Sequence, residues 1–135
     1  MKVISLETKA KEEVVDITAE VSSLVSQTKI QDGLCVVYVP HTTAGLAVNE
    51  NADPTVKSDM LMALSHIIPD RLPYRHSEGN SPAHVKAAVV GSSATLIIEE
   101  GRLQLGTWQG IYFCEFDGPR RRQVWIKLLA SNTRA

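Results

Sequence analysis

Three histidines, a close pair of carboxylates and a run of three arginines are the side chains in this sequence best suited to chemistry. His41 follows Pro40, His76 lies in a long polar stretch, and His84 falls in the first turn of a helix opened by Ser81-Pro82. All three sit at breaks between elements, where site residues concentrate. The positive end of a helix disfavours protonation of His84, which keeps an imidazole free to act as base or ligand. Three neutral imidazoles plus a water would form a metal site of the catalytic zinc type. The spacing itself carries no HExxH and no compact ligand set. His66 differs, because it lies in the last turn of a helix, where an imidazolium interacts well with the dipole. Glu115 and Asp117 are two apart on a strand-like run and so share a face with Ile111 and Phe113. Beside apolar groups such a pair could hold a raised pKa suited to proton transfer. The competing reading has them facing solvent, or paired with Arg120, Arg121 or Arg122 across the turn. The arginine triplet is itself either a solvated hairpin end or a phosphate clamp. Asn49-Glu50-Asn51 and Glu78-Gly79-Asn80 have turn composition. Gly106-Thr107-Trp108-Gln109-Gly110 reads either as a tight turn with a packed indole or as a ligand wall. No GxGxxG, Walker loop or GxSxG is present.

Placing these groups takes about eight strands and three helices. Residues 2–8 and 12–17 read as short strands, and Thr18 is set to cap a helix carrying Val21, Leu24, Val25 and Thr28 at helical spacing. After the Asp32-Gly33 turn, Leu34 to Val39 is a near-continuous apolar run, as expected of a strand covered on both faces and stopped by Pro40. Ala44 to Val48 follows the His41-Thr42-Thr43 bend as its neighbour. Asp53 then Pro54 give two independent helix-start signals. Val56, Met60, Ala63, Leu64 and Ile67 trace one face, and Pro69 ends the helix. Residues 69–81 form the longest loop, and Gly91 is placed to close the Ser81 helix. Ala94 to Glu99, Arg102 to Leu105, Ile111 to Asp117 and Gln123 to Ala130 are strands. With most helices in the middle, the order predicts α+β: mainly antiparallel sheets with helices packed to one side.

A chain of 135 residues fits one domain, 1–135. Hydrophobic residues at 44 % and charged residues at 21 % exclude disorder or coiled coil as the main architecture. A net charge of −1 argues against nucleic acid as a partner. No apolar run reaches the ~20 residues of a membrane span, and the first residues turn charged early, so a cytoplasmic location is expected. Residues 1–70 carry five basic and ten acidic groups, whereas residues 71–135 carry nine and five. The mildly basic second half suits an anionic small-molecule ligand. Cys35 and Cys114 sit in apolar runs and read as buried, reduced thiols.

Five motifs then occur in a fixed order: PHTTA at 40–44, NENADP at 49–54, Tyr74-x-His76-x-Glu78-Gly79, His84-x-Lys86, and GRLQLGTWQGI at 101–111. Together they resemble the YjbQ family, small proteins described as secondary thiamine-phosphate synthases. The resemblance runs from about Pro40 to Arg122. It implies a compact α+β, sandwich-like fold assembled as a homotrimer. It also implies a pocket around His41, Thr42, Asn49, Glu50, His76, Glu78, His84, Lys86, Gln109 and Glu115.

On that footing the expected activity is low-level coupling of a pyrimidine-methyl pyrophosphate to a thiazole phosphate, releasing pyrophosphate and thiamine phosphate. Lys86 and the Ser81 helix start would stabilise the departing pyrophosphate, with Arg120 and Arg121 as outer help. Thr42, Asn49, Glu50 and Gln109 would contact substrate. His41, His76 and His84 would bind a divalent metal, zinc being favoured, while magnesium would suit a pyrophosphate substrate. Glu115 or Glu78 would act as general base or hold an imidazole N–H. The alternative is a non-catalytic protein that binds a metal or a phosphorylated metabolite.

Overall fold

The period-two alternation of the strands and the 3.6-residue spacing of the helices are realised as three layers. The computed structural model describes residues 1–132. The element order is β1 (Lys2–Glu7), β2 (Glu13–Asp16), α1 (Thr18–Ser26), β3 (Gly33–Tyr38), β4 (Ala44–Glu50), α2 (Pro54–Ile67), α3 (Ser81–Val90), β5 (Ser93–Glu99), β6 (Arg102–Gln104), β7 (Gln109–Glu115) and β8 (Arg121–Ala130). The fold is α+β, and every strand pair is antiparallel. A five-stranded sheet has the order β1-β8-β3-β5-β6, and a three-stranded sheet the order β2-β7-β4. No helix among the described residues is long and apolar enough to cross a membrane.

The main core fills the space between the sheets. Cys35, Val37, Ile98, Val124 and Ile126 of the larger sheet meet Leu46, Ile111 and Phe113 of the smaller one, and Val21 and Val25 of α1 join them. A second cluster lies on the other face of the small sheet, where Tyr112, Cys114 and Phe116 pack against Ala83 and Ala87 of α3 and Leu61 and Leu64 of α2. Strand β7 is therefore covered on both sides, and Gly110 to Glu115 are all buried. Both cysteines are buried and free, and burial pushes their thiols up, to about 11 for Cys35 and about 12 for Cys114.

Four local expectations need correction. The apolar run at 34–39 is not covered on both faces. Cys35 and Val37 point into the core, while Leu34 and Tyr38 are exposed on the sheet's outer side. Nor is β4 the neighbour of β3. Pro40 lacks an N–H and ends β3, and the His41–Thr43 bend carries the chain into the other sheet, where β4 pairs with β7. On α2, the half-buried stripe is Val56, Met60, Leu61 and Leu64, whereas Ala63 and Ile67 face outward. The N-cap is as expected, with Asp53 accepting from the Thr55 N–H at 2.9 Å. At α1 the N-cap is Ile17, without a side-chain cap, and Thr18, expected as the cap, is instead the first helical residue, its N–H and hydroxyl both donating to Asp16.

Candidate functional site

The His41–Thr43 bend, the end of β7, the start of β8 and the loop leading into α3 all meet at one end of the two sheets. Their junction is organised by a buried ion pair. Glu115 is fully buried and Arg122 is 4 % exposed. The guanidinium binds the carboxylate through two nitrogens, with Arg122 Nε donating to Glu115 Oε1 at 2.8 Å and Nη2 donating to Oε2. Nη2 also donates to Thr43 Oγ1 at 2.9 Å, tying β8 to the histidine bend. Thr8 Oγ1 donates to Glu115 Oε1 at 2.7 Å, and the Asp117 N–H donates to Oε2 at 3.0 Å. Burial pushes the Glu115 carboxyl up, but the bonds from Arg122, Asp117 and Thr8 outweigh it and hold the group below the ordinary carboxylate range. Each oxygen already accepts two hydrogen bonds. The raised-pKa, proton-transfer role expected of Glu115 is thus not what this geometry supplies; Glu115 is a fixed anion paired with Arg122.

In front of this pair lies a cavity of about 400 Å³ lined by His41, Thr42, His76, Glu78, His84 and Arg120, among others. The His76 and His84 rings stand edge to face with centroids 5.1 Å apart. Glu78 Oε2 is 3.8 Å from His76 Nε2. Arg120 is half exposed and is held by Asp117, whose Oδ2 accepts from Arg120 Nη2 at 3.0 Å and from Asn80 Nδ2 at 2.9 Å. His41 packs edge-on against Phe113, and its Nε2 accepts the Gln123 N–H at 2.9 Å. Burial and the nearby Arg122 charge hold its imidazole below the ordinary range. With Nε2 accepting, the proton of the neutral ring sits on Nδ1, which makes that atom a donor.

That tautomer bears on the metal expectation. A neutral His41 in this arrangement has no lone pair left to ligate. Among the described residues no group of three or more His, Cys, Asp or Glu side chains stands where it could hold a metal ion. The three histidines share a cavity but do not form a ready three-nitrogen set.

Other expected site residues lie elsewhere. Lys86 is buried behind the cavity, donating to Glu12 Oε2 at 2.7 Å and Ser65 Oγ at 3.1 Å. Arg121, next to Arg122, is exposed in an open groove with Glu7 and Gln123, and His41 and Arg122 line both this groove and the histidine cavity. Asn49, Glu50 and Gln109 are at the far end of the β4–β7 pair, where Glu50 is the register partner of Gln109, while Ala44 pairs with Glu115 at the near end. Seven strand residues separate the two ends by about 20 Å. Gln109 Oε1 accepts the Gly106 N–H there, and the glycine loop closes as a tight turn with Trp108 exposed. One chain therefore does not gather these three residues into the histidine pocket. Thr8, Thr43 and Asn80 are parts of the site that the sequence reading passed over. Thr43 is the fourth residue of PHTTA and Asn80 the last of the Glu78-Gly79-Asn80 turn, whereas Thr8 lies in no motif.

The family model described as UPF0047 protein YjbQ-like matches residues 2–131. The chain belongs to the YjbQ family. It is 54 % identical over 124 residues to a UPF0047 protein of Methanocaldococcus jannaschii, covering 92 % of this chain and 90 % of that protein. It is 50 % identical over 130 residues to the UPF0047 protein YugU of Bacillus subtilis, covering 96 % and 98 %. A YjbQ/UPF0047 family crystal structure from Clostridium acetobutylicum superposes with a TM-score of 0.93 at 50 % identity, covering 96 % of this chain and all of that one. A structure from Sulfolobus solfataricus, described as a YbjQ-like protein of unknown function, gives 0.92 at 31 % identity and 96 % of both chains.

Proposed function

We propose that the histidine cavity binds the phosphate of a small phosphorylated metabolite and that the chemistry it serves is the thiamine-phosphate synthase coupling of the YjbQ-family resemblance. The observation that carries this reading is the donor set. His41, Thr42, Arg120 and the His76–His84 pair line one cavity, the neighbouring Glu115 charge is cancelled by Arg122, and Glu78, the other carboxylate there, stands 3.8 Å from His76 Nε2. In the coupling, the bond between the pyrimidine methylene carbon and the pyrophosphate oxygen breaks, and the thiazole nitrogen supplies the electron pair of the new C–N bond. The pyrophosphate leaves with its electron pair, so the protein's task is to receive negative charge, which fixed donors and a guanidinium do well. No general base is required. A divalent cation such as magnesium would enter with the pyrophosphate.

Non-catalytic binding of a phosphometabolite is a second reading, since the same donor set serves phosphate binding with no coupling step. Incubating the protein at high concentration with the two substrates separates the readings. Thiamine phosphate that forms with the wild type and is lost in His84→Ala supports catalysis; phosphate binding without product supports the second.

Self-association as a trimer is part of the proposal. The outer face of the five-stranded sheet presents Val3, Leu34, Tyr38, Ile97 and Leu129 to solvent, an apolar surface of the kind that marks interfaces. Light scattering should give three times the 14.8 kDa chain mass, and a mass near one chain would refute it.

A further inference from the structure

The histidine cavity has two walls from different parts of the chain. Arg120 stands on the turn between β7 and β8, whereas Asn80 and His84 come from the start of α3. Asn80 joins the walls directly, its Nδ2 donating to Asp117 Oδ2 at 2.9 Å. Behind them runs the connection between β1 and β2, residues 8–12, and it touches both. Toward the turn, the Thr8 N–H donates to the Arg120 carbonyl at 3.0 Å, and Thr8 Oγ1 accepts the Arg120 N–H at 3.0 Å. The Lys11 carbonyl accepts the Gly118 N–H at 2.9 Å, an approach so close that a Cβ on Gly118 would lie 2.4 Å from the Ala10 carbonyl oxygen. Toward α3, Glu12 Oε2 accepts from Lys86 Nζ at 2.7 Å. Ser65 of α2 closes a triangle with them, its Oγ accepting from Lys86 at 3.1 Å and donating to Glu12 Oε1 at 3.3 Å.

This tether matters because packing leaves the start of α3 some freedom. Ala83 and Ala87 cluster with Phe116 and Cys114, but a cavity of about 240 Å³ lies between residues 11–12, the helix start and Phe116–Asp117. Small side chains beside an open volume forfeit contacts that would otherwise wedge the helix in place. Lys86 is buried, so its ammonium has given up water and depends on Glu12 for its countercharge. His84 lies two residues before Lys86 on the same helix and moves with it.

We infer that Glu12 is a positioning residue for the histidine cavity: through Lys86 it fixes the start of α3 against the β7–β8 turn, and so sets the separation of His84 from Arg120. That this separation serves a phosphate rests on the function proposed above; the positioning of His84 does not.

Charge and geometry give opposite signs here. Removing Glu12 leaves the Lys86 ammonium uncompensated behind the cavity, which by charge alone would tighten the binding of an anion. Loss of the tether instead misplaces a donor and weakens it. The test compares wild type, Glu12→Ala and Glu12→Gln in calorimetric titrations with inorganic pyrophosphate, and in the NMR signals of the His84 imidazole without ligand, which report its edge-to-face contact with His76. In the folded protein, Glu12→Ala should bind pyrophosphate about tenfold more weakly, as for loss of one donor, and should move the His84 ring signals. Glu12→Gln, which keeps an acceptor at the same reach, should recover most of that loss. Should Glu12→Ala fail to fold, Glu12→Asp, which keeps the charge and shortens the reach by one methylene, takes its place with the same expected loss. Tighter binding in both Glu12→Ala and Glu12→Gln would mark a purely electrostatic role. A lowered denaturation midpoint with affinity and His84 signals unchanged would mark a purely structural one, and either result overturns the inference. Displaced His84 signals in Glu12→Ala, with no pyrophosphate binding by the wild type, would leave this inference standing and remove the function proposed above.

Discussion

Arg121 and Arg122 are adjacent in sequence and each pairs with a glutamate, yet the two pairs do different things. Arg121 Nε donates to Glu7 Oε1 at 3.1 Å, and both side chains lie open to water. Arg122 and Glu115 form a two-nitrogen pair buried between the sheets, with Thr8 and the Asp117 N–H also donating to the carboxylate and Thr43 accepting from Arg122 Nη2. The alternation of a β-strand alone assigns these fates, since neighbouring residues point to opposite faces. Solvent screens the outer pair, and holding two long side chains offsets much of its attraction. The inner pair has lost its hydration, so each member depends on the other. Arg121 therefore stands in the groove alone, while Arg122 forms part of the wall between that groove and the histidine cavity.

Breaking the inner pair on one side should have the largest effect. Arg122→Met leaves Glu115 buried and unpaired, and chemical denaturation should show a loss of about 3–5 kcal/mol. The double variant Glu115→Gln/Arg122→Met, which removes both charges, should recover part of that loss. If the two variants are equally unstable, the pair is not the element that holds the junction.

The same comparison has a pH signature. The Glu115 carboxyl is held below its unfolded value, so its contribution is complete above the ordinary carboxylate range and is lost as pH falls through the lowered folded value. His41 is also held low, by burial and by Arg122, so its contribution is present above the ordinary imidazole range and declines as pH falls through its own lowered value. Stability measured against pH should fall in two stages on acidification. The double variant should show a smaller lower stage, with Asp53, also held low by its Thr55 bonds, still contributing, and a lower stage of unchanged size there would contradict the assignment to Glu115.

A smaller effect is expected from Thr8→Val. It removes one hydroxyl donor from a buried carboxylate at nearly constant volume, and denaturation should register about 1–3 kcal/mol. The smallest effect belongs to the outer pair: Arg121→Ala should change stability by no more than about 0.5 kcal/mol in the same assay. A loss from Arg121→Ala comparable to that from Arg122→Met would erase the distinction between the pairs.

Much of this architecture was legible in the residues. The Asp53-Pro54 start, the Gly91 helix end and all eight strands follow from local chemistry, because capping, turn geometry and apolar runs act over a few residues. Which sheet each strand joins is a long-range matter, and there the reading of β4 beside β3 failed. The site divides in the same way. His41, His76 and His84 share a cavity, a gathering that the family resemblance implied and that spacing along the chain did not. That Glu115 pairs with Arg122 was one of two open alternatives, since it depends on which side of β8 faces inward. The Gln123 N–H on His41, which decides that ring's tautomer, could not be read from spacing. Lys86 resembled a pyrophosphate clamp by sequence because its partner, Glu12, is far away in the chain and lies in an ordinary charged turn.

The central claim is that the histidine cavity, and not the Arg121 groove, receives a phosphorylated ligand. Calorimetric titration with inorganic pyrophosphate tests it most directly, on the wild type, His84→Ala and Arg121→Ala. The account predicts measurable binding by the wild type, an affinity about tenfold weaker in His84→Ala, as for loss of one hydrogen-bond donor, and no change in Arg121→Ala. Binding that survives His84→Ala at full strength and disappears in Arg121→Ala would contradict it.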